Sequence, residues 1–271
     1  MWRLAGTYIL ACLLCLACED PPAPPELEPP RPRAEDDIVR IAGASAGTPL
    51  LKHLSTEFMA RSGGQPINVE VPIGSEGALQ ALSAGVIDAA IVALPADASR
   101  PPGGVEVALS PVGVVAGSRV PTRSLTMEAL IETVRGESGP WSNQQSRMVL
   151  LRPRQDPAQA LLSGLSAGLG AAVDDALDRH RWPVYPEDEA LRDALKRTPG
   201  AIAISDLGTL RQLGAPVWFL SPGPGGQQRW GELIIWLVPR RGASKRLYAF
   251  LDYVKGVEAR RTVIDLGYGR R

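Results

Sequence analysis

The sequence predicts an α/β protein with a mainly parallel sheet flanked by helices, and three observations predict it. From residue 38 onward, short apolar runs alternate with segments whose apolar residues recur at helical spacing. Two of the strand-to-helix joints, 43–48 and 74–77, are small-residue turns that set Gly beside Ser or Thr directly before a helix. The run 87–93 is almost continuously apolar, as a parallel strand covered on both faces requires.

The chain begins with segments outside that body. Met1-Trp2-Arg3 is a short basic start, residues 4–17 are almost wholly apolar, and Cys12, Cys15 and Cys18 are the only cysteines. The apolar run is short for a membrane span and fits the core of a secretory signal. Leu14, Leu16 and Ala17 ahead of Cys18 resemble a bacterial lipobox, in which cleavage makes Cys18 the lipidated N-terminus. Cys15 stands where such boxes prefer Leu, and an ordinary signal peptide or an uncleaved anchor are the alternatives. Residues 19–37 hold seven prolines mixed with charge, which suits an extended spacer that keeps a folded body off a membrane. After cleavage before Cys18 no thiol remains for a disulfide, a nucleophile or a metal site. The 29 basic and 29 acidic side chains cancel, so no electrostatic footprint for nucleic acid is present.

In the body, 38–42 reads as a short buried strand closed by the turn 43–47. Thr48 is a fair N-cap and Pro49 suits the first helical position, so a helix opens there. Leu50, Leu51, Leu54 and Phe58 form its apolar face, and Gly63-Gly64 ends it. Residues 67–71 form a second strand. The turn 74–77 leads into a helix carrying Ala78, Leu79 and Leu82, with Gly85 as its C-terminal cap. Residues 87–93 are the third strand, and Pro101-Pro102-Gly103-Gly104 breaks the pattern. Residues 105–116 read as one or two strands interrupted at Pro111. A helix at 126–134 and a strand at 147–151 come next. Residues 152–157 then lead into a helix over 157–165. Two more helices cover 171–180 and 187–197, the second with Glu187-Asp188-Glu189 as an acidic start that suits the helix dipole. Strands at 201–204 and 216–220, a loop at 223–226, a strongly apolar strand at 233–238 and helices at 244–255 and 257–266 complete the body.

In open α/β sheets, ligands sit beyond the carboxyl ends of the strands, where the turns 43–48 and 74–77 lie. Helix N-termini offer unpaired N–H groups and a positive dipole end, so two of them converging on one point favour an anion. Each turn by itself is better explained as a helix cap than as a ligand site.

The segment Ile41-Ala42-Gly43-Ala44-Ser45-Ala46-Gly47-Thr48-Pro49-Leu50 resembles the first strand and loop of phosphate-type periplasmic substrate-binding proteins. Ile73-Gly74-Ser75-Glu76-Gly77 with 82–88 resembles their second loop with its helix and strand. Thr198-Pro199-Gly200-Ala201-Ile202-Ala203 resembles their Pro-Gly-Ala-Ile-Gly strand, and 249–254 with Leu266-Gly267-Tyr268 their C-terminal helices and Gly-Tyr end. The likeness spans about 38–269. It implies the two-lobed type 2 fold, each lobe a mainly parallel sheet flanked by helices. Residues 38–115 plus 231–271 would form lobe 1 and 116–230 lobe 2, with a ligand closing the hinge between them. It implies a monomeric, lipid-anchored protein at the outer face of a membrane that captures phosphate or a related small oxyanion for an ABC permease. Carried over by position, Ser45, Gly47, Thr48, Ser75 and Gly77 belong to the oxyanion loops of lobe 1, and Arg152 is the arginine of lobe 2. A guanidinium fork suits an oxyanion because it donates two parallel hydrogen bonds.

Two departures stand out. Ala93 occupies the end of the third strand, where the family has an Asp that accepts a proton from hydrogen phosphate. Asp156-Pro157-Ala158 replaces the family's Ser-Gly-Thr nest. Proline deletes an N–H donor, and Asp156 brings a negative charge that either borders the ligand or pairs with Arg152.

Two further readings come from the residues. Gly43-Ala44-Ser45-Ala46-Gly47 also fits the G-x-S-x-G nucleophile elbow, which would make Ser45 the nucleophile of a serine hydrolase with His180 as base. That elbow would fall on the first strand of the body, with no oxyanion loop upstream. Alternatively, a binding-protein fold with an altered ligand set would serve as a membrane-tethered sensor or scaffold. No enzyme activity, metal or cofactor is expected: His and Cys clusters, P-loop and dinucleotide fingerprints are missing from the sequence.

Overall fold

The computed structural model describes residues 38–63, 66–215, 217–223 and 230–270. The signal segment with Cys18, the proline-rich spacer 19–37 and most of the 223–226 loop lie outside them. The chain order is β1 (Val39–Gly43), α1 (Thr48–Arg61), β2 (Ile67–Val69), α2 (Gly74–Ser83), β3 (Ala89–Pro95) and β4 (Val105–Ala116). Next come α3 (Met127–Arg135), β5 (Met148–Leu150), α4 (Pro157–Gly164), α5 (Ala167–Asp178) and α6 (Asp188–Arg197). The chain ends with β6 (Ala201–Asp206), α7 (Leu207–Gln212), β7 (Trp218–Leu220), β8 (Gly231–Pro239), α8 (Lys245–Lys255) and α9 (Val257–Asp265).

One eight-stranded sheet runs in the order β2-β1-β3-β8-β4-β6-β5, with β7 also paired to β4. The parallel pairs lie towards its ends, β1 with β2 and β3, and β5 with β6. The middle is antiparallel, because β8 returns between β3 and β4. β4 is the element shared by both halves: residues 105–112 pair with β8 and 112–116 with β6. It is a single strand that runs through Pro111. Pro111 stands opposite Glu232, one residue before the β6 ladder starts at Val112, so its missing N–H weakens the sheet at the point where pairing changes hands.

Alternation along the strands separates the two faces. Ile41, Ala89, Ile91 and Ala93 look into the large core shared with α1 and α8, which supply Leu50, Leu51, Leu54, Phe250 and Val254. Ala42, Ala90, Val92 and Trp236 face the opposite way, onto Ala78 of α2. In the second half, Val115, Leu150, Ala201 and Ala203 pack on Leu191 and Leu195 of α6 and Leu210 of α7. The tryptophans serve this packing: Trp141, Trp230 and Trp236 are buried, and the indoles of Trp141 and Trp230 donate to the carbonyls of Gly200 and Leu220 at 2.7 and 2.6 Å.

Two sequence expectations change. The cap of α1 is Gly47, held in the left-handed region at φ 91°, and not Thr48, whose hydroxyl donates back to the Ala44 carbonyl at 2.7 Å. A Cβ at Gly47 would meet the Ile235 side chain at 2.6 Å, so a side chain at this turn would collide with β8. The sequence pattern does not predict α7. It starts on Asp206, whose carboxylate accepts from the Thr209 N–H at 2.9 Å.

Candidate functional site

Four polar side chains meet beyond the carboxyl ends of parallel strands, and a fifth, Asp206, lies close by. Ser45 follows β1, Arg152 follows β5, Asp156 caps α4, Asp188 opens α6 and Asp206 ends β6. Leu151, between β5 and Arg152, pairs with Val184 in a parallel bridge, which extends the strand up to the arginine. The Gln159 side chain then locks the Arg152 peptide, accepting from its N–H at 2.9 Å and donating to its carbonyl at 2.5 Å.

The Arg152 side chain is 1% exposed. Its Nε donates to Asp156 Oδ2 at 2.9 Å. Its Nη2 donates to Ser45 Oγ at 2.9 Å and lies 3.0 Å from Asp188 Oδ1. The Ser45 hydroxyl reaches Asp156 Oδ2 in a longer 3.4 Å contact. Nη1 is buried with no hydrogen-bond partner among the described residues. Asp156 carries two duties, since its other oxygen caps α4 by accepting from the N–H groups of Ala158 and Gln159 at 3.0 and 3.1 Å. That cap fills the α4 N-terminus which an anion would otherwise use.

Asp206 is buried nearby and accepts from the Ser110 hydroxyl at 2.7 Å as well as from Thr209. Two carboxylates therefore pair with one guanidinium, and the charge of a third, Asp206, acts on it from nearby. Burial pushes the Asp188 carboxyl up to about 7, with the Arg152 charge opposing and the neighbouring Asp206 and Asp156 charges reinforcing. Burial likewise raises Asp206, against the pull of its hydrogen bonds from Thr209 and Ser110. Burial works against the Arg152 charge, but Asp156 and Asp188 outweigh it and hold the guanidinium ionised.

Of the residues singled out in the sequence, Ser45, Arg152 and Asp156 come together. The Gly47 N–H points instead at Thr209 Oγ1, in a long 3.4 Å contact, and Thr48 is turned inward onto Ala44. Ser75 stands in the first turn of α2, its Oγ accepting from the Ala93 N–H at 3.2 Å. Ser75 and Gly77 line a cavity of about 630 Å³ between α2 and α4, with Glu76, Gln80, Gln155 and Leu161. A smaller cavity of about 230 Å³ is lined by Ser45 and Asp156 and shares Ile73, Gly74, Gln155 and Pro157 with the larger one. Among the described residues lining the two, Glu76 and Asp156 are the only ionisable ones.

The hydrolase constellation does not form: the described partners of the Ser45 hydroxyl are Arg152 and Asp156, while His53 pairs with Glu57 and His180 lies exposed at φ 50°. Asp174 and Asp175 are engaged by Arg154, Arg179 and Arg181. Among the described residues, no group of three or more His, Cys, Asp or Glu is arranged to hold a metal ion. Sequence reasoning missed Asp188, Asp206 and Thr209. The D-x-x-T spacing of 206–209 carried a cap signal; Asp188 offered only an acidic helix start.

The residues 29–239 match a family model described as the PBP superfamily domain. No curated protein sequence matches the chain. Among solved structures, a Clostridium perfringens protein assigned as a phosphate ABC transporter substrate-binding protein, with phosphate bound, superposes at TM-score 0.66 and 12% identity, covering 87% of this chain and 100% of its own. An ABC-type phosphate transport receptor from Vibrio cholerae gives TM-score 0.58 and 14% identity over 86% of this chain and 100% of its own. The periplasmic molybdate-binding protein of Azotobacter vinelandii gives 0.57 and 12%, over 86% and 99%. At such identities the likeness is one of fold. Among the described residues no helix is long and apolar enough to cross a membrane.

Proposed function

The chain belongs to the PBP superfamily, and from that premise we propose that it is an extracytoplasmic binding-protein-fold sensor or scaffold, tethered through a lipid on Cys18 and the 19–37 spacer, whose arginine site is not open to free oxyanions. Residues 38–115 with 231–271 act as one lobe and 116–230 as the other, around the crevice between α2 and α4. The observation that carries the reading is the Arg152 guanidinium held by Asp156 at 2.9 Å and Asp188 at 3.0 Å. A phosphate on Nε or Nη2 would have to displace Asp156 or Asp188 and then sit beside the negative charge it displaced. The crevice walls supply no compensating cation among the described residues.

Capture of phosphate or a related oxyanion for an ABC permease is the second reading. It is favoured by the Ser45–Arg152 contact at 2.9 Å, by the unpartnered Nη1 and by the phosphate and molybdate receptors that share the fold.

Calorimetry and thermal denaturation with phosphate, sulfate and molybdate separate the two. A ligand at about a hundred times its Kd stabilises a fold by ~2.7 kcal/mol, a rise of about 5–10 °C in Tm for a body of this size. The sensor or scaffold reading expects no heat and no shift with any of the three. A saturable heat with phosphate at millimolar concentration or below overturns it in favour of capture.

A further inference from the structure

A second set of contacts joins the halves of the sheet, away from Arg152. The β1–α1 turn and Tyr268, just beyond α9, belong to the first half, and α7 to the second. The Gly47 N–H reaches Thr209 Oγ1 at 3.4 Å. Thr209 Oγ1 lies 3.2 Å from the Tyr268 hydroxyl, which donates to Gln212 Oε1 at 3.2 Å. Gln212 Nε2 donates to the Pro49 carbonyl at 2.9 Å. Because the Tyr268 proton goes to Gln212, the Thr209 hydroxyl is the donor to Tyr268. Each group then donates once, and the relay leaves the β1–α1 turn at Gly47 and returns to it at Pro49.

This ring is buried at Thr209 and Tyr268 and partly exposed at Gln212 and Pro49. Thr209 is fully buried and Tyr268 is 4% exposed. Gly208 admits the tyrosine: a Cβ there would lie 2.3 Å from the Tyr268 ring. Opening the halves would break four hydrogen bonds among five polar groups, and it would separate Ser45 from Arg152 at the same time. None of these contacts needs a solute. Asp156 stands as a tethered carboxylate on the guanidinium, where a bound anion would otherwise link the halves.

We infer that the protein is its own ligand: the Gly47–Thr209–Tyr268–Gln212–Pro49 ring and the Ser45–Arg152–Asp156 cluster hold the two halves shut without any solute. A partner then meets one standing conformation, and solute binding does not gate it. This goes beyond the proposed function, since a chain that binds phosphate in the crevice could still be locked by the ring.

Hydrogen exchange read by mass spectrometry on the full chain in detergent tests it. In unliganded protein, peptides covering 45–51 and 207–213 are expected to exchange within about tenfold of the β4 and β8 peptides, and addition of phosphate leaves them unchanged. Gln212→Ala removes two links of the ring and is expected to speed both peptides about tenfold or more, with β1 and β3 peptides unaffected. Tyr268→Phe, which keeps the ring packing, is the second variant should Gln212→Ala fail to fold, and the same acceleration is expected. Two results overturn the inference: unliganded peptides that exchange about a hundredfold faster than β8 and become protected on adding phosphate, or folded variants with unchanged exchange. Phosphate binding in calorimetry with slow, unchanged exchange removes the sensor or scaffold reading and leaves this inference standing.

Discussion

Arg152 and Asp156 meet at 2.9 Å, and the same aspartate caps α4 through the N–H groups of Ala158 and Gln159. One side chain thus ties the fold of a helix start to the occupancy of the arginine. An anion that displaced Asp156 from the Arg152 Nε would put its negative charge beside the carboxylate that caps the helix.

Separating the two duties opens the site. Serine is a good N-cap, so Asp156→Ser keeps the start of α4 while freeing Arg152 Nε. Combined with Asp188→Asn, it removes both ionic partners of the guanidinium. The double variant is expected to bind phosphate by calorimetry where the wild type shows no heat. A folded double variant that gives no heat would show that the carboxylates are not what excludes the anion.

Removing the cation has the opposite effect. Arg152→Met leaves Asp156, Asp188 and Asp206 buried together with no guanidinium between them. Breaking a buried pair in this way costs about 3–5 kcal/mol. The loss is expected to shrink at acid pH, where the carboxyl groups take up protons. Urea denaturation at pH 5 and pH 8 measures both the loss and its relief.

The pH dependence of the wild type has a definite sign. Asp188 titrates near 3.8 when unfolded and about 7 when folded. Between these values the folded chain holds a proton that the unfolded chain has released, so stability falls as pH rises through the window. The raised Asp206 adds in the same direction. The contribution is fully present below the unfolded value and lost above about pH 7. Asp188→Asn is expected to flatten this slope and to raise Tm most at pH 8. Circular dichroism melts across pH 4–8 check it, and an unchanged slope in the variant assigns the titration elsewhere.

Local patterns in the sequence carried the strand–helix order, because strand ends and helix starts are set by neighbours in the chain, whereas the meeting of Ser45 and Arg152 was implied by the family resemblance and the Asp156–Arg152 pair was one of two alternatives left open. Those patterns did not carry Asp188. Glu187-Asp188-Glu189 reads as a solvated helix start, and only the fold shows that its middle member turns inward to Arg152 while Glu187 and Glu189 face outward. α7 escaped for a different reason. Six residues with Gly208 among them are too few to show a helical period, and the helix is held by Tyr268, some sixty residues away in sequence. Thr48 was legible as a helix-start residue, but its inward turn comes from Gly47 taking the left-handed conformation beside Ile235.

Gly208 gives the sharpest test of the seam between the halves. The Tyr268 ring lies so close that a methyl group on Gly208 would come within 2.3 Å of it, and the Ser110 hydroxyl, which accepts from the Gly208 N–H at 3.1 Å, closes off the other side. Gly208→Ala improves helix propensity, which by itself would stabilise α7 by up to ~1 kcal/mol. Overpacking of a buried seam costs about 1–3 kcal/mol and acts against that gain. The steric term wins here because the ring is anchored through its hydroxyl to Thr209 and Gln212 and cannot swing aside without breaking both bonds. Gly208→Ala is therefore expected to destabilise the wild-type fold, and to cost less when introduced into Tyr268→Ala, where the opposing ring is gone. Denaturant midpoints in the two backgrounds decide it: a Gly208→Ala protein as stable as wild type would mean that the seam is looser than its contacts imply.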